Sequence, residues 1–491
     1  MSLGAAGQLA SENGARTSSV PAAETVAAPL AAAPLAAAPA FDPRTRRLIE
    51  GPITATLLRL AAPNVLVMTV QASLGLIETY FIARLGTAAL AGVTLVFPAL
   101  MLMQMMSAGA VGGGISSAVA RALGAGRRDE ADRLAVHAVA IGIGFALVFT
   151  VALPAGGRVL YAAMGGEGEA LAAALTYSDI VFAGMVLIWV FNALANVIRG
   201  TGNMALPAGV SIGLTLVLVP LSPSLIFGWG PFPRLGVAGG GVALVVYYLI
   251  GVAILGWYLA SGRGVVRLRV AAARLEVRLF KEILRVGLVA ALITVGTNAT
   301  VAVTTALVGR FGAAAIAGYG VGSRLEYLLV PLCFGLGSPL VAMVGTSIGA
   351  GRGERAARTA WIGAAIAFAL TEAIGVAAAA HPVGWLSLFG HDPAMLAAGT
   401  VYLRTVGPCY GLFGVGMALY FASQGAGRLR WPLIAAVARF AIAAGGGWVA
   451  FRLSDNLAYV FVALAVALIA FGAINAAAVA AGAWSVKPAR P

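Results

Sequence analysis

The sequence predicts an all-α polytopic membrane protein whose twelve transmembrane helices form two pseudo-symmetric lobes of six helices each. Three observations support this fold class. Of the 491 residues, 60% are hydrophobic and only 10% are charged. Long apolar runs recur along the chain, and the two halves of the chain resemble each other. Runs of about 20 apolar residues are long enough to cross a bilayer as a helix.

The two halves share three short motifs at a nearly constant spacing. The matching pairs are 83–92 (ARLGTAALAG) with 309–318 (GRFGAAAIAG), 124–127 with 349–352 (both GAGR), and 200–202 (GTG) with 425–427 (GAG). The offset is 225 residues for the last two pairs and 226 for the first. A duplicated helical half is typical of secondary transporters, in which the binding site lies between two bundles.

The apolar runs predict six helices in each half. The predicted spans are 55–83, 88–120, 133–162, 168–198, 204–228, 236–260, 283–308, 313–347, 358–380, 394–423, 431–452 and 457–484. The predicted domains are a disordered tail at 1–50, an N-lobe at 51–260, a cytoplasmic linker at 261–282, a C-lobe at 283–485 and a tail at 486–491. The Ala- and Pro-rich start of the chain has few groups to bury, which favours disorder.

The distribution of charge predicts the orientation. The net charge of +14 would suggest a nucleic-acid partner in a soluble protein, but here the arginines gather in alternate loops. Because cytoplasmic loops of membrane proteins collect Lys and Arg, both termini are predicted to be cytoplasmic. No nucleic-acid partner is therefore expected. An even number of helices per half makes the two halves a parallel repeat.

Motifs of the common enzyme classes do not occur. The sequence has no phosphate-binding loop, no Cys-x-x-Cys and no His-Glu-x-x-His motif, and its three histidines lack metal-ligand spacing. No nucleophile–base pair is apparent in the predicted spans. We therefore expect a secondary transporter and not an enzyme, with no metal and no cofactor.

Several segments together resemble the MATE (multidrug and toxic compound extrusion) transporters. They are 76–79 (LIET), 124–126 (GAG), 199–203 (RGTGN), 227–230 (FGWG) and 235–239 (LGVAG). The resemblance covers roughly residues 52–485. It implies two six-helix lobes around a V-shaped central cavity. It also implies antiport of organic, often cationic, compounds against protons or sodium, and favours a monomer.

Glu78 in the first predicted span is the principal candidate for cation coupling. A lone carboxyl in an apolar wall favours its protonated form and can exchange a proton near neutral pH. By the resemblance, Glu78 stands where the family usually carries an Asp, and Gln71, two helical turns earlier, matches a polar position of the N-lobe site. The alternative is a carboxyl near the outer interface, within reach of Arg84.

Other positions depart from the family pattern. Family members with an N-lobe cation site often carry Asn and Asp in helix 5, where this chain has Leu218 and Ser222. Other members use acids in helices 7 and 10. The matching positions in this chain are Thr297 or Asn298 in helix 7 and Phe413 in helix 10. Because the chain has one principal acid in this region, a proton is a simpler coupling ion than sodium.

A second pair of charges occupies equivalent places in the two repeats. Asp179 and Arg404 follow the matching tyrosines Tyr177 and Tyr402. We expect the pair to meet across the cleft near the outer side and close that gate, because opposite charges attract strongly in a low dielectric when their geometry is good. The alternative is that each pairs within its own lobe.

The remaining buried charges lie in the C-lobe. Arg324 and Glu326 are two apart on one helix and therefore do not share a face. Glu326 is expected to line the C-lobe cavity or to bind a buried arginine. Glu372 is a candidate cavity residue, with Arg439 as its expected structural partner.

Together these features predict a cation-coupled, and more simply proton-coupled, antiporter of drugs or organic compounds. Its expected partners are small organic substrates, H⁺ or Na⁺, and the lipid bilayer of the bacterial inner membrane. One alternative is a lipid-linked oligosaccharide flippase of the same superfamily, and another is an integral membrane enzyme acting on lipids.

Overall fold

The computed structural model describes residues 41–269, 274–454 and 456–484, all of them helices and short connections. The helices are α1 Pro43–Glu50, α2 Ile53–Ala83, α3 Thr87–Gln104, α4 Gly112–Gly124, α5 Arg128–Ala163, α6 Gly168–Ala183, α7 Met185–Gly200, α8 Ala205–Phe227, α9 Val237–Ala260, α10 Val277–Gly309, α11 Ala313–Gly349, α12 Gly353–Ala380, α13 Pro382–Leu386, α14 Pro393–Val406, α15 Tyr410–Gly425, α16 Arg430–Ala441, α17 Gly447–Leu453 and α18 Leu457–Ala480. A π-helical segment, Met105–Val111, joins α3 to α4.

The predicted fold class is confirmed. Eleven spans of the described residues are long and apolar enough to cross a membrane, and the pair α6–α7, bent by 48°, makes a twelfth. The bend lies at Gly184, where the first run of this span ends in a turn. Helices α2 to α9 form the N-lobe and α10 to α18 the C-lobe, with six spans in each.

Most loops that are rich in arginine lie at one end of the bundle, which we call the basic end. The connections at this end join α1 to α2, α4 to α5, α7 to α8, α9 to α10, α11 to α12 and α15 to α16, and the arginines lie within them or in the adjoining helix turns. At this end, glycines that the repeat relates to each other bring the two lobes into contact. A Cβ at Gly124 would overlap the backbone of Thr346, and a Cβ at Gly349 would overlap the carbonyl of Arg121.

These two contacts are images of one another, because Arg121 and Thr346 are separated by the same 225 residues as Gly124 and Gly349. The repeated GAGR motif therefore has a structural reason. The ends of α4 and α11 cross near the pseudo-symmetry axis at a distance that only glycine permits.

The first helix of each lobe begins against the other lobe. Leu57 and Ala61 on α2 belong to the hydrophobic cluster of the C-lobe, whereas Leu279 and Ile283 on α10 belong to that of the N-lobe. At the opposite end, the contacts stay within one lobe, as in the ring pairs Phe81–Phe227 and Phe311–Phe451. Among the described residues, the lobes thus meet at the basic end and towards the middle of the molecule, where Val65 lies against Gly335, and we infer that the cleft between them opens at the opposite end.

Part of the predicted N-terminal tail is ordered, which corrects the boundary at residue 50. Residues 43–50 form α1, whose first turn is capped by the side chain of Asp42. Burial of Leu48 and Ile49 anchors the helix, because apolar surface removed from water stabilises it. Arg355 of the C-lobe donates hydrogen bonds to the carbonyl oxygen of Leu48 at 3.1 and 3.2 Å.

Helix α10 begins at Val277, six residues before the predicted linker ends, and its start is fixed by ion pairs to the N-lobe. The pairs are Arg121–Glu282 at 3.3 Å, Arg278–Glu130 at 3.1 Å and Arg133–Glu276 at 2.5 Å. The rest of the predicted 1–50 tail, residues 1–40, lies outside the described residues, as does the tail at 486–491.

Candidate functional site

Glu78 lies in the last two turns of α2, at the end of the molecule where the cleft opens. Its Oε1 atom is buried and has no hydrogen-bond partner among the described residues. Arg84, the partner of the alternative interpretation, forms no ion pair with Glu78 and instead lies over the ring of Tyr80, 5.8 Å from its centroid. A buried carboxyl without a counter-charge is costly in a membrane and marks a functional site by default.

Three helices of the N-lobe surround this carboxyl with hydroxyl and amide groups. Tyr177 on α6 and Tyr248 on α9 are near enough to interact electrostatically with Glu78. The hydroxyl of Tyr248 accepts a hydrogen bond from Gln104 Nε2 at 3.2 Å. Gln104 in turn accepts from Asn192 Nδ2 at 3.5 Å. Glu78 therefore lies near a tyrosine that begins a hydrogen-bonded chain, through Gln104 and Asn192, into the middle of the lobe.

Gln71 belongs to the same polar region. It lies within hydrogen-bonding reach of Tyr247, whose hydroxyl donates to the Ser211 carbonyl oxygen at 3.4 Å. Arg199, fully enclosed at the end of α7, interacts electrostatically with Tyr247. The structure thus connects both predicted coupling residues, Glu78 and Gln71, to the adjacent tyrosines of α9.

The π-helical segment Met105–Val111 borders this region. A π turn leaves backbone groups unpaired, and π segments occur frequently at functional sites. Here the amides of α7 meet the break: Asn196 Nδ2 donates to the Ala108 carbonyl oxygen at 3.2 Å, and Asn192 Nδ2 donates to Ser107 Oγ at 2.8 Å. Asn196 therefore contacts the backbone of the π segment, and Asn192 contacts one of its side chains.

The C-lobe holds a second buried cluster. Tyr402 donates a short hydrogen bond to Glu326, and the hydroxyls of Tyr402 and Tyr410 lie 3.3 Å apart. Arg439 is 4% exposed and is close enough to interact electrostatically with Glu326. Among the described residues, Arg439 makes no ion pair with Glu326 within 4.0 Å, so both interpretations of Glu326 stay predictions.

Glu372 has a different partner from the one expected. Its Oε2 accepts a hydrogen bond of 2.7 Å from the amide of Gly411, at the start of α15. Arg439 lies instead near Glu326 and stacks on Phe413 and Phe471, 5.3 and 5.7 Å from their centroids. Glu372 therefore satisfies the backbone where this span is broken, since the first amides of a helix have no partner within it.

The expected outer pair does not form in this conformation. Asp179 and Arg404 are both exposed, and neither makes an ion pair with any described residue. Asp179 lies near Tyr161 of its own lobe. Because the cleft is open at this end, a contact between the two charges requires the lobes to close there, and it stays a prediction for the closed state.

The remaining predicted residues lie apart from both clusters. Ser222 is buried, and its hydroxyl has no hydrogen-bond partner in the part of the chain that the structure describes. Asn298 is exposed and donates to the Thr294 carbonyl oxygen of its own helix at 2.9 Å. Arg324 is exposed and lies over the ring of Phe389, 5.2 Å from its centroid, which removes it from the cluster of Glu326.

Sequence reasoning missed the residues that complete the Glu78 region: Gln104, Asn192, Asn196, Tyr247 and Tyr248. The two amides on α7 are four apart and therefore share a face, which was an available signal. The tyrosines carried none, because aromatic residues in apolar helices are ordinary packing groups.

Comparison with known proteins identifies the family of this chain. The MatE family model matches twice, at residues 63–224 and 287–449. The chain belongs to the MatE family. The two matches correspond to the two lobes, and each ends within its fifth helical span. The family consists of secondary transporters, so the chain is a transporter and not an enzyme.

Its relatives include several named transporters. A probable multidrug resistance protein NorM of Deinococcus radiodurans is 31% identical over 402 residues, which are 78% of this chain and 85% of that protein. An FAD transporter of Shewanella oneidensis is 27% identical over 375 residues, 75% of this chain and 81% of that protein. A solved MOP superfamily transporter from Pyrococcus furiosus shares the fold, with a TM-score of 0.83 at 21% identity, over 91% of this chain and all of that chain.

Proposed function

We propose that this chain is a proton-coupled antiporter that exports organic, often cationic, compounds across the bacterial inner membrane. Its relatives of known name include multidrug exporters. The basic end is assigned to the cytoplasm, because that end carries most of the loop arginines. The open cleft then faces outward. The observation that carries the choice of the coupling residue is the unpartnered, buried carboxyl of Glu78.

The position of Glu78 on α2 supports a coupling role. The same helix, Ile53–Ala83, carries Glu78 at its outer end, whereas Leu57 and Ala61 near its inner end pack on the C-lobe. A change in the packing of α2 around Glu78 is therefore connected through one continuous helix to the contact that holds the lobes together. Pro63 removes a backbone hydrogen bond between these two regions, which makes the helix easier to bend.

The proposed cycle uses this connection. In the outward-open state, a proton from outside binds Glu78, and the neutral side chain repacks among its tyrosines, which expels the substrate outward. The lobes then rock until the cleft opens at the basic end. There the proton leaves to the cytoplasm, and the deprotonated carboxylate favours the shape that accepts the next substrate. Only differential affinity of the two states for proton and substrate drives such an exchange.

Efflux of ethidium from proteoliposomes tests the proposal. Purified protein is assayed under an imposed proton gradient or an imposed sodium gradient, as wild type, Glu78→Gln and Glu169→Gln. Glu169 is an exposed acid in the first turn of α6 and serves as the matched control. We expect the proton gradient to drive efflux in wild type and in the control, and Glu78→Gln to fall to the level of protein-free liposomes.

Two other results would redirect the assignment. Efflux driven by sodium alone would overturn the proton as coupling ion. The relative named as an FAD transporter gives a specific reason to include FAD as a second substrate. Export of FAD with no export of ethidium would overturn the cationic substrate class. The coupling role of Glu78 would then be tested by FAD efflux from proteoliposomes with wild type and Glu78→Gln.

A further inference from the structure

A cavity of about 950 Å³ lies at the basic end, outside the region of Glu78. It is formed mainly by the C-lobe, from the start of α10, the connection between α15 and α16, and the end of α18. The N-lobe contributes Arg121. Its cationic lining residues are Arg121, Arg278, Lys281, Arg285, Arg428 and Arg430.

Protein groups balance only part of the positive charge of this cavity, because Arg278 is paired with Glu130 at 3.1 Å but several other cations have no carboxylate partner among the described residues. Glu282 is its single acidic lining residue, and Glu282 is already paired with Arg121 at 3.3 Å. Within the part of the chain that the structure describes, no carboxylate lies within 4.0 Å of Lys281, Arg285 or Arg430. A concentration of uncompensated cations in a concave site favours an anionic ligand.

Backbone groups add to this preference. The helices α10 and α16 both begin at the cavity, and no side chain caps either start. The first amides of a helix point outward along its axis, and the helix dipole places partial positive charge there. Two helix starts together with arginine side chains are the arrangement that binds phosphate in many proteins.

The walls of the cavity continue into exposed apolar surfaces on α10 and α16. On α16, Trp431, Ile434 and Val437 are 45, 40 and 59% exposed and follow one another at helical spacing. On α10, Leu288 and Leu292 are 46 and 61% exposed and lie on the face below Arg285. Tryptophan at such a boundary is typical of the membrane interface. A ligand in this cavity therefore has apolar surface directly beside its charged site.

We propose that this cavity binds the phosphate head group of an anionic phospholipid, whose acyl chains lie along α10 and α16. Basic pockets between transmembrane helices on the cytoplasmic side bind such head groups in other membrane proteins. The assignment to the cytoplasmic leaflet rests on the proposed orientation, but the binding does not depend on transport. Because Arg121 reaches the cavity from the N-lobe, the bound lipid contacts both lobes while the basic end is closed.

Lipid binding to the detergent-purified full chain tests this site without any transport assay. Native mass spectrometry measures binding of phosphatidylglycerol, cardiolipin and phosphatidylcholine, and of glycerol 1-phosphate as a head group without acyl chains. The variant Arg285→Gln/Arg428→Gln/Arg430→Gln removes three charges from the cavity. The variant Arg59→Gln/Arg128→Gln/Arg358→Gln removes three exposed charges elsewhere at the basic end and is the matched control.

We expect phosphatidylglycerol and cardiolipin to bind wild type and control alike, and phosphatidylcholine to bind weakly. The cavity variant should lose affinity on the order of 100-fold, since each Lys or Arg near an anionic surface contributes about a factor of five. Equal binding by the cavity variant and the control would overturn the site. If glycerol 1-phosphate binds as tightly as the anionic lipids, the phospholipid is overturned as the ligand. The site would then be assigned to soluble phosphate compounds.

Discussion

At the scale of single residues, the two lobes treat their buried acids differently. Glu78 has no partner for its Oε1 atom, whereas Glu326 accepts a hydrogen bond from Tyr402 and lies near Arg439. A buried acid that is hydrogen-bonded beside an opposite charge holds its ionisation state more firmly than an isolated one. The free acid is thus suited to exchanging a proton, and the paired acid to holding the C-lobe together.

A double-mutant cycle tests the structural role of Glu326. We expect Arg439→Leu alone and Glu326→Leu alone each to lower the melting temperature in detergent, because each change removes the opposite charge that lies near the remaining buried group. The double variant should recover part of this loss, because it leaves no uncompensated charge. Additive losses in the double variant would show that the two side chains do not interact.

The identity of the acids could be predicted at this scale, but not their partners. Glu78 stood out because an acid in an apolar helix is costly. The partner of Arg439 was predicted wrongly as Glu372. Glu326 and Glu372 both lie in apolar helices of the C-lobe, so the sequence does not distinguish them as partners. Only the packing of α14 against α11 places Tyr402 and Glu326 side by side. Such a contact depends on helix rotation, which hydropathy does not specify.

At the scale of elements, breaks in the helices coincide with the polar regions. The side-chain amides of α7 contact the π-helical segment Met105–Val111. Shortly after the 3₁₀ segment Gly407–Cys409, the backbone amide of Gly411 donates a hydrogen bond to Glu372. Span boundaries were predicted within a few residues because apolar runs are long. The breaks themselves were not predicted, because a π turn leaves the apolar pattern of its helix nearly unchanged.

Glycine at the crossing of α4 and α11 gives a sharp test of the basic-end closure. Gly349→Ala places a Cβ against the carbonyl of Arg121, whereas Gly320→Ala on the same helix meets no atom within 4 Å. We expect Gly349→Ala to destabilise the closed basic end by about 1–3 kcal/mol, the usual cost of overpacking. The control should be neutral or slightly stabilising, because Ala is the better helix former.

Spin labels at Arg128→Cys and Arg358→Cys, in a background without Cys333 and Cys409, measure the separation of the lobes at this end. Pulsed EPR should give a longer or broader distance distribution for Gly349→Ala than for Gly320→Ala. The same distribution for both variants would contradict the role assigned to this glycine contact.

At the scale of the whole molecule, the closed end and the open end are held by different interactions. Glycine crossings, α1 and three ion pairs join the lobes at the basic end, whereas the described contacts at the opposite end lie within each lobe. Partly exposed ion pairs contribute about 0–1 kcal/mol each, so packing of α4 against α11 dominates the closure. The duplicated architecture was predictable from the repeat, but which end is closed was not, because both conformations use the same sequence.

The proposed mechanism assigns the exchange of a proton for substrate to one group, Glu78. The most direct test is proton release on addition of ethidium to the detergent-purified chain in weakly buffered solution, followed with a pH indicator. Wild type and Glu169→Gln are expected to release protons in a saturable manner, whereas Glu78→Gln, whose neutral side chain resembles protonated Glu78, is expected to bind ethidium more weakly and to release no protons. If Glu78→Gln releases as many protons as wild type, Glu78 is not the group that exchanges a proton for substrate.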